Sequence, residues 1–210
     1  MNAKNKINLV YWRDSSIYLN ITNKCTNNCI FCVRNFQIGV FGFNLKLDHE
    51  PSKKEILDSF TEVISEKFQE VVFTGFGEPL TRLNLVCNLA QEIKKIKKEI
   101  FIRIDTNGLG ELINPGIDVI QKLRDGKIDA LSISLNAENA EKYLKICKSK
   151  FGYESFKAIL DFTSKAKQFF NLRFTVVDIP QIDIIACKQI ADNFDIPLKI
   201  RHYSGPELII

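Results

Sequence analysis

Histidine is scarce in this chain, and its scarcity limits the chemistry available. Of 210 residues, only His49 and His202 are histidines. A hydrolase that binds its metal through several histidines needs more of them, and a Ser–His–Asp hydrolase needs one placed beside its two partners. The composition therefore argues against both classes of hydrolase.

Long apolar runs are also missing. No stretch approaches the roughly 20 apolar residues of a membrane span, and residues 1–12 (MNAKNKINLVYW) have too short an apolar run for a signal peptide. We expect a cytoplasmic protein that makes no contact with a membrane. In that reducing compartment, cysteines serve as metal ligands, catalysts or core residues more often than as disulfide partners.

A strong excess of charge is absent as well. The net charge is +4, and lysine-rich helix segments such as KKIKK at 94–98 explain most of it. A surface that binds nucleic acid interleaves arginines with aromatic residues, and no such pattern is present, so we expect no nucleic-acid partner. Because no repeat, linker or low-complexity segment divides the chain, we predict one domain over residues 1–210.

Alternating strand and helix patterns fill the chain. Apolar, β-branched segments predict six strands, separated by amphipathic segments that predict six helices. The predicted strands are 16–22, 70–79, 100–108, 129–137, 171–178 and 197–203. The first helix opens with a capping box formed by Ser52 and Glu55. Strands that are apolar at nearly every position favour a parallel sheet, so we predict an α/β fold, either an open sheet or a partial barrel, with its active site at the carboxyl ends of the strands.

Three cysteines lie in a long segment, 23–51, for which no regular structure is predicted. Cys25, Cys29 and Cys32 form the pattern C-x3-C-x2-C. A structural zinc site takes four ligands, and the nearest fourth candidate, His49, stands at no recurring zinc spacing. A buried structural trio fits poorly with the polar flanks of the triplet. An iron–sulfur cluster is normally held by four thiolates, so three would leave one iron open to bind a substrate.

The triplet, with Phe31 directly before its last cysteine, resembles the signature of the radical S-adenosylmethionine superfamily. The resemblance implies that Cys25, Cys29 and Cys32 hold an oxygen-sensitive [4Fe–4S] cluster, and that S-adenosylmethionine chelates the fourth iron. It implies reductive cleavage of that cofactor to a 5′-deoxyadenosyl radical, which abstracts hydrogen from a substrate. It also implies a partial (β/α)6 barrel of parallel strands and an external one-electron donor of the flavodoxin or ferredoxin type.

Three further segments carry the resemblance along nearly the whole chain. TGFGEPL (74–80) resembles the glycine-glycine-glutamate motif that receives the cofactor's amino group, DTNG (105–108) is similar to a segment of glycyl-radical-enzyme activases, and SISLNA (132–137) resembles a segment that reaches the ribose. Arg201 suits a carboxylate of cofactor or substrate. The candidate cofactor-binding residues are Phe31, Gly75, Gly77, Glu78, Asp105, Asn107, Ser134, Asn136 and Arg201. Ordinary turns, a core aromatic and a surface arginine are the alternative interpretations of these residues.

Taken together, these motifs most resemble the small radical S-adenosylmethionine proteins associated with TatD-family nucleases, which implies a functional link to such a nuclease. Synthases of 7-carboxy-7-deazaguanine and activases of glycyl radical enzymes are the alternatives, and an iron–sulfur electron carrier is the non-enzyme alternative. We expect the scattered cysteines Cys87, Cys147 and Cys187 in or beside the core. No general acid or base and no substrate can be named from the residues.

Overall fold

The structure is a computed structural model and describes residues 8–208. Most of the amino-terminal segment in which we predict no signal peptide lies outside that range. The strands are β1 (Val10–Arg13), β2 (Ser16–Leu19), β3 (Gly39–Val40), β4 (Phe43–Asn44), β5 (Glu70–Phe73), β6 (Phe101–Thr106), β7 (Ala130–Ser134), β8 (Asn171–Val177) and β9 (Leu198–Arg201).

One curled sheet of seven strands forms the centre of the fold. Its order is β1-β2-β5-β6-β7-β8-β9. The strands from β2 to β9 pair in parallel, while β1 pairs antiparallel with β2. The two edges, β1 and β9, are not paired with each other in residues 8–208. The sheet is therefore a half-barrel with a concave face and an open side.

Helices cover the convex face of the half-barrel. They are α1 (Lys53–Val63), α2 (Leu83–Ile96), α3 (Gly110–Ile113), α4 (Val119–Asp125), α5 (Ala140–Cys147), α6 (Glu154–Ala166) and α7 (Ile184–Asn193). Apolar side chains of the helices and of the convex strand positions, such as Phe174 and Val176 in β8, form the main core. Among the described residues, no helix is both long and apolar enough to cross a membrane.

The predicted α/β partial barrel is confirmed, with all six predicted strands and six predicted helices. The capping box is also present, because the backbone N–H of Ser52 donates to Glu55 Oε2 at 2.8 Å and the N–H of Glu55 donates to Ser52 Oγ at 3.2 Å. The expectation that 23–51 lacks regular structure was wrong in one place. The strands β3 and β4 form a hairpin there.

The turn of that hairpin explains why its sequence gave no signal. Its central residues, Phe41 and Gly42, both have positive φ, at 53° and 83°. Turns of this kind are normally marked by Asn or Gly at the first position, where a left-handed backbone costs little. Phe41 carries no such mark, and each strand is only two residues long, so the pattern was too short to detect.

Candidate active site

A cavity of about 470 Å³ lies where the parallel strands end. Every predicted metal-binding and cofactor-binding residue lines it. These residues are Cys25, Cys29, Phe31, Cys32, Gly75, Gly77, Glu78, Asp105, Asn107, Ser134, Asn136 and Arg201. They come from loops that are far apart in the sequence. The parallel register brings these loops together, because the carboxyl ends of all six strands meet at one edge.

The loop that carries the cysteines is anchored to the end of α5. The backbone N–H groups of Asn28 and Ile30 donate to the carbonyl oxygens of Cys147 and Ile146, each at 3.0 Å. These carbonyls belong to the last turn of a helix, where no intrahelical donor is left for them. The loop therefore satisfies the helix end, and the helix end fixes the loop.

A second anchor comes from within the loop itself. The Arg34 guanidinium donates to the carbonyl oxygens of Asn27 at 2.8 Å and Asn23 at 3.4 Å. The Asn27 amide in turn donates to the hydroxyl of buried Tyr143 at 2.8 Å, while its Oδ1 is buried without a hydrogen-bond partner. The polypeptide thus fixes the path of the loop through hydrogen bonds that involve no thiol.

Burial and the charge of Arg34 shift the pKa values of the three thiols in opposite directions. Burial raises the pKa of Cys25 to about 12 and also raises the pKa of Cys32. The positive charge of Arg34 lowers the pKa of each of the three cysteines. A metal that binds these sulfurs must displace protons from them, and Arg34 favours that loss of protons.

The donor set fits a multi-iron cluster better than a single ion. Ligands of one zinc ion all lie about 2.3 Å from the same centre, which forces their sulfur atoms close together. Cys25, Cys29 and Cys32 line one cavity, and within residues 8–208 no fourth cysteine, histidine or second acid pair accompanies them in the way that a closed zinc site needs. The thiolates of a four-iron cluster each bind a different iron, so these three would hold three of the four irons.

Cys147 is a residue of the site that our sequence reasoning missed. The interaction of its thiol with Cys29 is the main reason that the pKa of Cys29 is lowered. The pKa of Cys147 is held well above its usual value by the same interaction and by burial. Cys147 is buried in the main core, as expected, and its backbone also contacts the cysteine loop. Only the contact between α5 and the cysteine loop reveals its role.

The two glycines after β5 allow one loop to lie directly on another. A Cβ at Gly77 would stand 2.5 Å from the carbonyl oxygens of Thr22 and Lys24, and one at Gly75 would stand 2.2 Å from Asn20 Oδ1. Side chains do not tolerate such distances, so the requirement for glycine here is steric. Because Gly75 and Gly77 have no Cβ, the backbone carbonyl groups of their loop also remain accessible from the cavity.

Phe76, which interrupts the glycine motif, is 7% exposed and packs in a small apolar cluster with Tyr11 and Leu45. It also lines the cavity beside the two glycines. Phe76 therefore fixes the motif against the β1 edge.

Glu78 is the most buried acid of the cavity. Its Oε1 accepts from the N–H of Leu80 at 3.0 Å and from Thr106 Oγ1 at 2.8 Å, and its Oε2 accepts from the N–H of Asn107 at 2.7 Å. Burial raises the pKa of Glu78 to about 7, although these donors act in the opposite direction. The carboxylate joins the loop after β5 to the end of β6. Glu78 therefore has a structural role that does not depend on contact with a ligand.

The end of β6 places two more predicted residues. Asn107 donates from Nδ2 to Thr26 Oγ1 at 3.0 Å, which ties β6 to the cysteine loop. Asp105 accepts from Arg201 Nη2 at 2.9 Å and also pairs with Arg103. Two residues chosen separately from the sequence, Asp105 and Arg201, are thus an ion pair on the concave face.

Ser134 and Asn136 line the cavity by different routes. They are two residues apart, so a continuous strand would point both side chains to the same side. β7 ends at Ser134, and Asn136 lies beyond it with a left-handed backbone, φ 54°. The Asn136 side chain acts to lower the pKa of Cys147. The turn, rather than strand alternation, directs Asn136 into the site.

Two aromatic residues, Phe36 and Tyr203, cover part of the cavity, and sequence reasoning did not identify them; we call this pair the aromatic roof. Phe36 follows the cysteines, and its ring packs edge-on against Tyr203, which follows β9, with centroids 5.9 Å apart. The loop after β2 therefore reaches across the open side of the half-barrel to the last strand. Phe41 of the hairpin, His202 and Ser204 also line the cavity. These residues had no signal because their positions depend on contacts between distant loops.

Comparison with known proteins agrees with this geometry. The family model described as "Radical SAM superfamily" matches residues 19–179. A probable GTP 3′,8-cyclase of Methanocaldococcus jannaschii is 31% identical in an alignment 200 residues long, which covers 88% of this chain and 60% of that relative. The GTP 3′,8-cyclase of Lactiplantibacillus plantarum is 30% identical over 132 residues, which are 62% of this chain and 36% of that relative.

A solved structure shows the same fold. The structure of TYW1 with a lysine-pyruvate adduct bound superposes with a TM-score of 0.65 at 20% identity, covering 91% of this chain and 66% of that one. The chain spans 60% or less of the length of the two cyclases. The narrower resemblance to TatD-associated proteins is not confirmed by these relatives and stays a prediction. The chain belongs to the radical S-adenosylmethionine superfamily, whose enzymes use a [4Fe–4S] cluster and S-adenosylmethionine.

Proposed function

We propose that Cys25, Cys29 and Cys32 hold the [4Fe–4S] cluster in the cavity and leave its fourth iron to S-adenosylmethionine. When bound, this pair of cofactors supplies a 5′-deoxyadenosyl radical that abstracts hydrogen from a substrate. One observation carries the proposal: the three cysteines and the residues of all the other motifs line one cavity at the carboxyl edge of the sheet.

The other residues of the cavity have complementary tasks in this proposal. Backbone carbonyls beside Gly75 and Gly77 accept hydrogen bonds from the cofactor's ammonium group, and Glu78 contributes a negative charge behind them. Arg201 orients a carboxylate. Ser134 and Asn136 supply polar groups for ribose hydroxyls. Phe31 lies beside the adenine.

The aromatic roof has a task of its own. Phe36 and Tyr203, packed against each other over the open side of the half-barrel, limit the access of water to the cavity. Exclusion of water and of side reactions is the protein's main contribution when a cofactor carries the chemistry.

The test is anaerobic. The protein is reconstituted with iron and sulfide, reduced with dithionite, mixed with S-adenosylmethionine and assayed for 5′-deoxyadenosine by chromatography. We expect the product from wild type and none from Cys25→Ala, Cys29→Ala or Cys32→Ala. Cys187→Ala, which alters a buried cysteine of α7 outside the cavity, is the matched control and should retain both cluster and product.

The outcomes separate an enzyme from an electron carrier. A reducible four-iron cluster that neither binds nor cleaves S-adenosylmethionine would favour the carrier. Full product in any one of the three triplet variants would refute the ligand assignment. Binding without cleavage would show that cleavage waits for a substrate, and GTP is one substrate to include, because two relatives are named for cyclising it.

Our proposal for the cellular setting follows from the cofactors. A reduced cluster needs an external one-electron donor, for which we propose a flavodoxin or ferredoxin. The six cysteines are all free thiols, which suits the reducing cytoplasm. A link to a TatD-family nuclease is proposed from the motifs alone. Co-purification of such a donor or nuclease under anaerobic conditions would test these partners.

A further inference from the structure

The concave face of β8 and β9 carries several cations. Along β8 the side chains alternate, so Phe174 and Val176 enter the core while Arg173 and Thr175 face the concave side. The register pairs Thr175 with Lys199 and Val177 with Arg201. Lys199 and Arg201 therefore also lie on the concave face, and Val177 and Arg201 line the cavity itself.

With Arg103 of β6, which lies on the same face as Asp105, the concave face holds four cations. Two of the four are neutralised and two are not. Arg103 pairs with Glu70 at 2.8 Å and with Asp105, and Arg201 pairs with Asp105 at 2.9 Å. Two acids thus balance these two arginines.

Arg173 and Lys199 are the two cations of this face that are not neutralised. Arg173 donates from Nε to Ser132 Oγ at 3.0 Å and has no ion pair within residues 8–208. Lys199 has neither a hydrogen bond nor an ion pair in the same part of the chain. The face therefore holds two positive charges without a counter-charge from the described residues.

These two charges repel each other and their neighbours. Partial desolvation lowers the pKa of the largely exposed Lys199, and the positive charges of Arg173, Arg201 and Arg103 lower it further, while Asp105 acts in the opposite direction. Burial lowers the pKa of Arg173 as well; Arg103 and Arg201 act in the same direction, and Asp105 and Glu70 act against them. An anion placed between the two side chains would relieve this repulsion and would form charge-assisted hydrogen bonds.

We propose that Arg173 and Lys199 bind an anionic group of the substrate, a phosphate or a carboxylate, on the concave face beside the cofactor cavity. This inference rests on the proposed function, because it assigns the anion to the substrate of the same site. Arg201 lies between the proposed anion site and the cofactor cavity, since it shares the face with Lys199 and also lines the cavity. The substrate's reacting carbon would lie in the cavity while its anionic group lies against β8 and β9.

The test uses two simple anions on the reconstituted protein. Pyrophosphate and succinate are titrated anaerobically by calorimetry into wild type, Lys199→Gln, Arg173→Gln and Arg173→Lys. We expect each glutamine variant to bind the preferred anion about tenfold more weakly or worse, because each loses a charged hydrogen bond. Arg173→Lys should recover most of the affinity. Lys95→Gln, a charge removed from the exposed face of α2, should bind like wild type.

A labelling experiment covers variants that fail to fold. Wild-type protein is acetylated at its lysines with and without pyrophosphate or succinate, and each site is quantified by mass spectrometry. The preferred anion should protect Lys199 and leave exposed Lys54 unchanged. The anion that protects distinguishes a phosphate site from a carboxylate site.

Three results would overturn the proposal. One is no binding and no protection by either anion. Another is an equal loss of affinity in Lys95→Gln, which would indicate nonspecific attraction. The third is competition between the anion and S-adenosylmethionine, which would assign the charges to the cofactor's own carboxylate. Because the titration needs no cleavage, a protein that binds the anion but neither binds nor cleaves S-adenosylmethionine would refute the proposed function and leave the anion site standing.

Discussion

At the scale of single residues, Cys147 changes how the cysteine triplet is understood. The Cys147 thiol interacts with that of Cys29, and the pKa shifts of the two thiols have opposite signs, lowered for Cys29 and raised for Cys147. This pattern is that of a donor beside a thiolate. Hydrogen bonds to the sulfurs of a cluster are among the factors that set its reduction potential. Cys147 is therefore in a position to tune the cluster.

We expect Cys147→Ala to retain the cluster and to lower its midpoint potential by about 20–60 mV. A hydrogen bond contributes about 0.5–1.5 kcal/mol net, and 59 mV in a one-electron couple corresponds to about 1.4 kcal/mol. The shift is negative because the reduced, more negative cluster loses more when a donor is removed. A redox titration followed by electron paramagnetic resonance measures it. Cys147→Ser keeps a donor and should stay nearer to wild type, while an unmoved potential in Cys147→Ala would contradict the tuning role.

The candidate residues differ in how far sequence could predict them. Cys25, Cys29 and Cys32 are close in the chain, so their spacing alone indicated a shared metal centre. Cys147 is far from them in sequence, and only the packing of α5 against the loop brings it near. Arg173 is similar, because its lack of a counter-charge depends on which residues face it across the sheet. Spacing predicts local groups, whereas charge balance requires the three-dimensional structure.

At the scale of elements, one carboxylate joins two pieces of structure. Glu78 accepts hydrogen bonds from the 3₁₀ turn Pro79–Arg82, through the N–H of Leu80, and from the end of β6, through Thr106 and Asn107. Each donor is buried with it. The loop after β5 and the segment after β6 therefore keep their relative positions only while Glu78 can accept hydrogen bonds at both oxygens.

Glu78→Gln should therefore destabilise the fold despite its similar shape. The new amide N–H2 would face the N–H of Asn107, or the N–H of Leu80 and the hydroxyl of Thr106 if the amide were flipped. A buried polar group left unpaired costs about 1–3 kcal/mol, and we expect the free energy of unfolding in urea to fall by that amount. Glu111→Gln, at a surface pair with Lys165, is the control and should change stability by less than about 0.5 kcal/mol. Equal stability of Glu78→Gln and wild type would show that the carboxylate is not a structural acceptor.

The predictability of the elements follows their length and burial. The six parallel strands are apolar enough to be predicted from the sequence, and the capping box of Ser52 and Glu55 marks the start of α1. β1 was missed because it is a short edge strand whose last two residues are exposed. The β3–β4 hairpin was missed because Phe41 adopts its left-handed turn under tertiary constraint. Strong local patterns were therefore sufficient to predict the parallel strands of the sheet. They were not sufficient to predict the edge strand β1 or the β3–β4 hairpin.

At the scale of the whole molecule, the cluster site lies at the margin of the hydrophobic core. The main core lies between the convex face of the sheet and the helices; Cys29 packs against it, while Cys25 and Cys32 are not part of it. The cysteine loop is held by its own hydrogen bonds to α5 and through Arg34. Small domains whose stability depends on a metal unfold without it. A chain of this size has a core large enough to fold without that contribution.

We therefore expect removal of the cluster with a chelator and an oxidant to leave the half-barrel folded. Far-ultraviolet circular dichroism should match that of the loaded protein, and hydrogen exchange should become faster mainly in residues 23–38, where the cysteines lie. The strands β5 to β8 should keep their protection, because their hydrogen bonds and packing do not involve the thiols. The Cys25→Ala variant, prepared without iron, is the matched control and should show the same local change. Loss of protection throughout the sheet would instead show that the cluster is needed to hold the fold together, and that the loop anchors on α5 are too weak to keep the site formed without it.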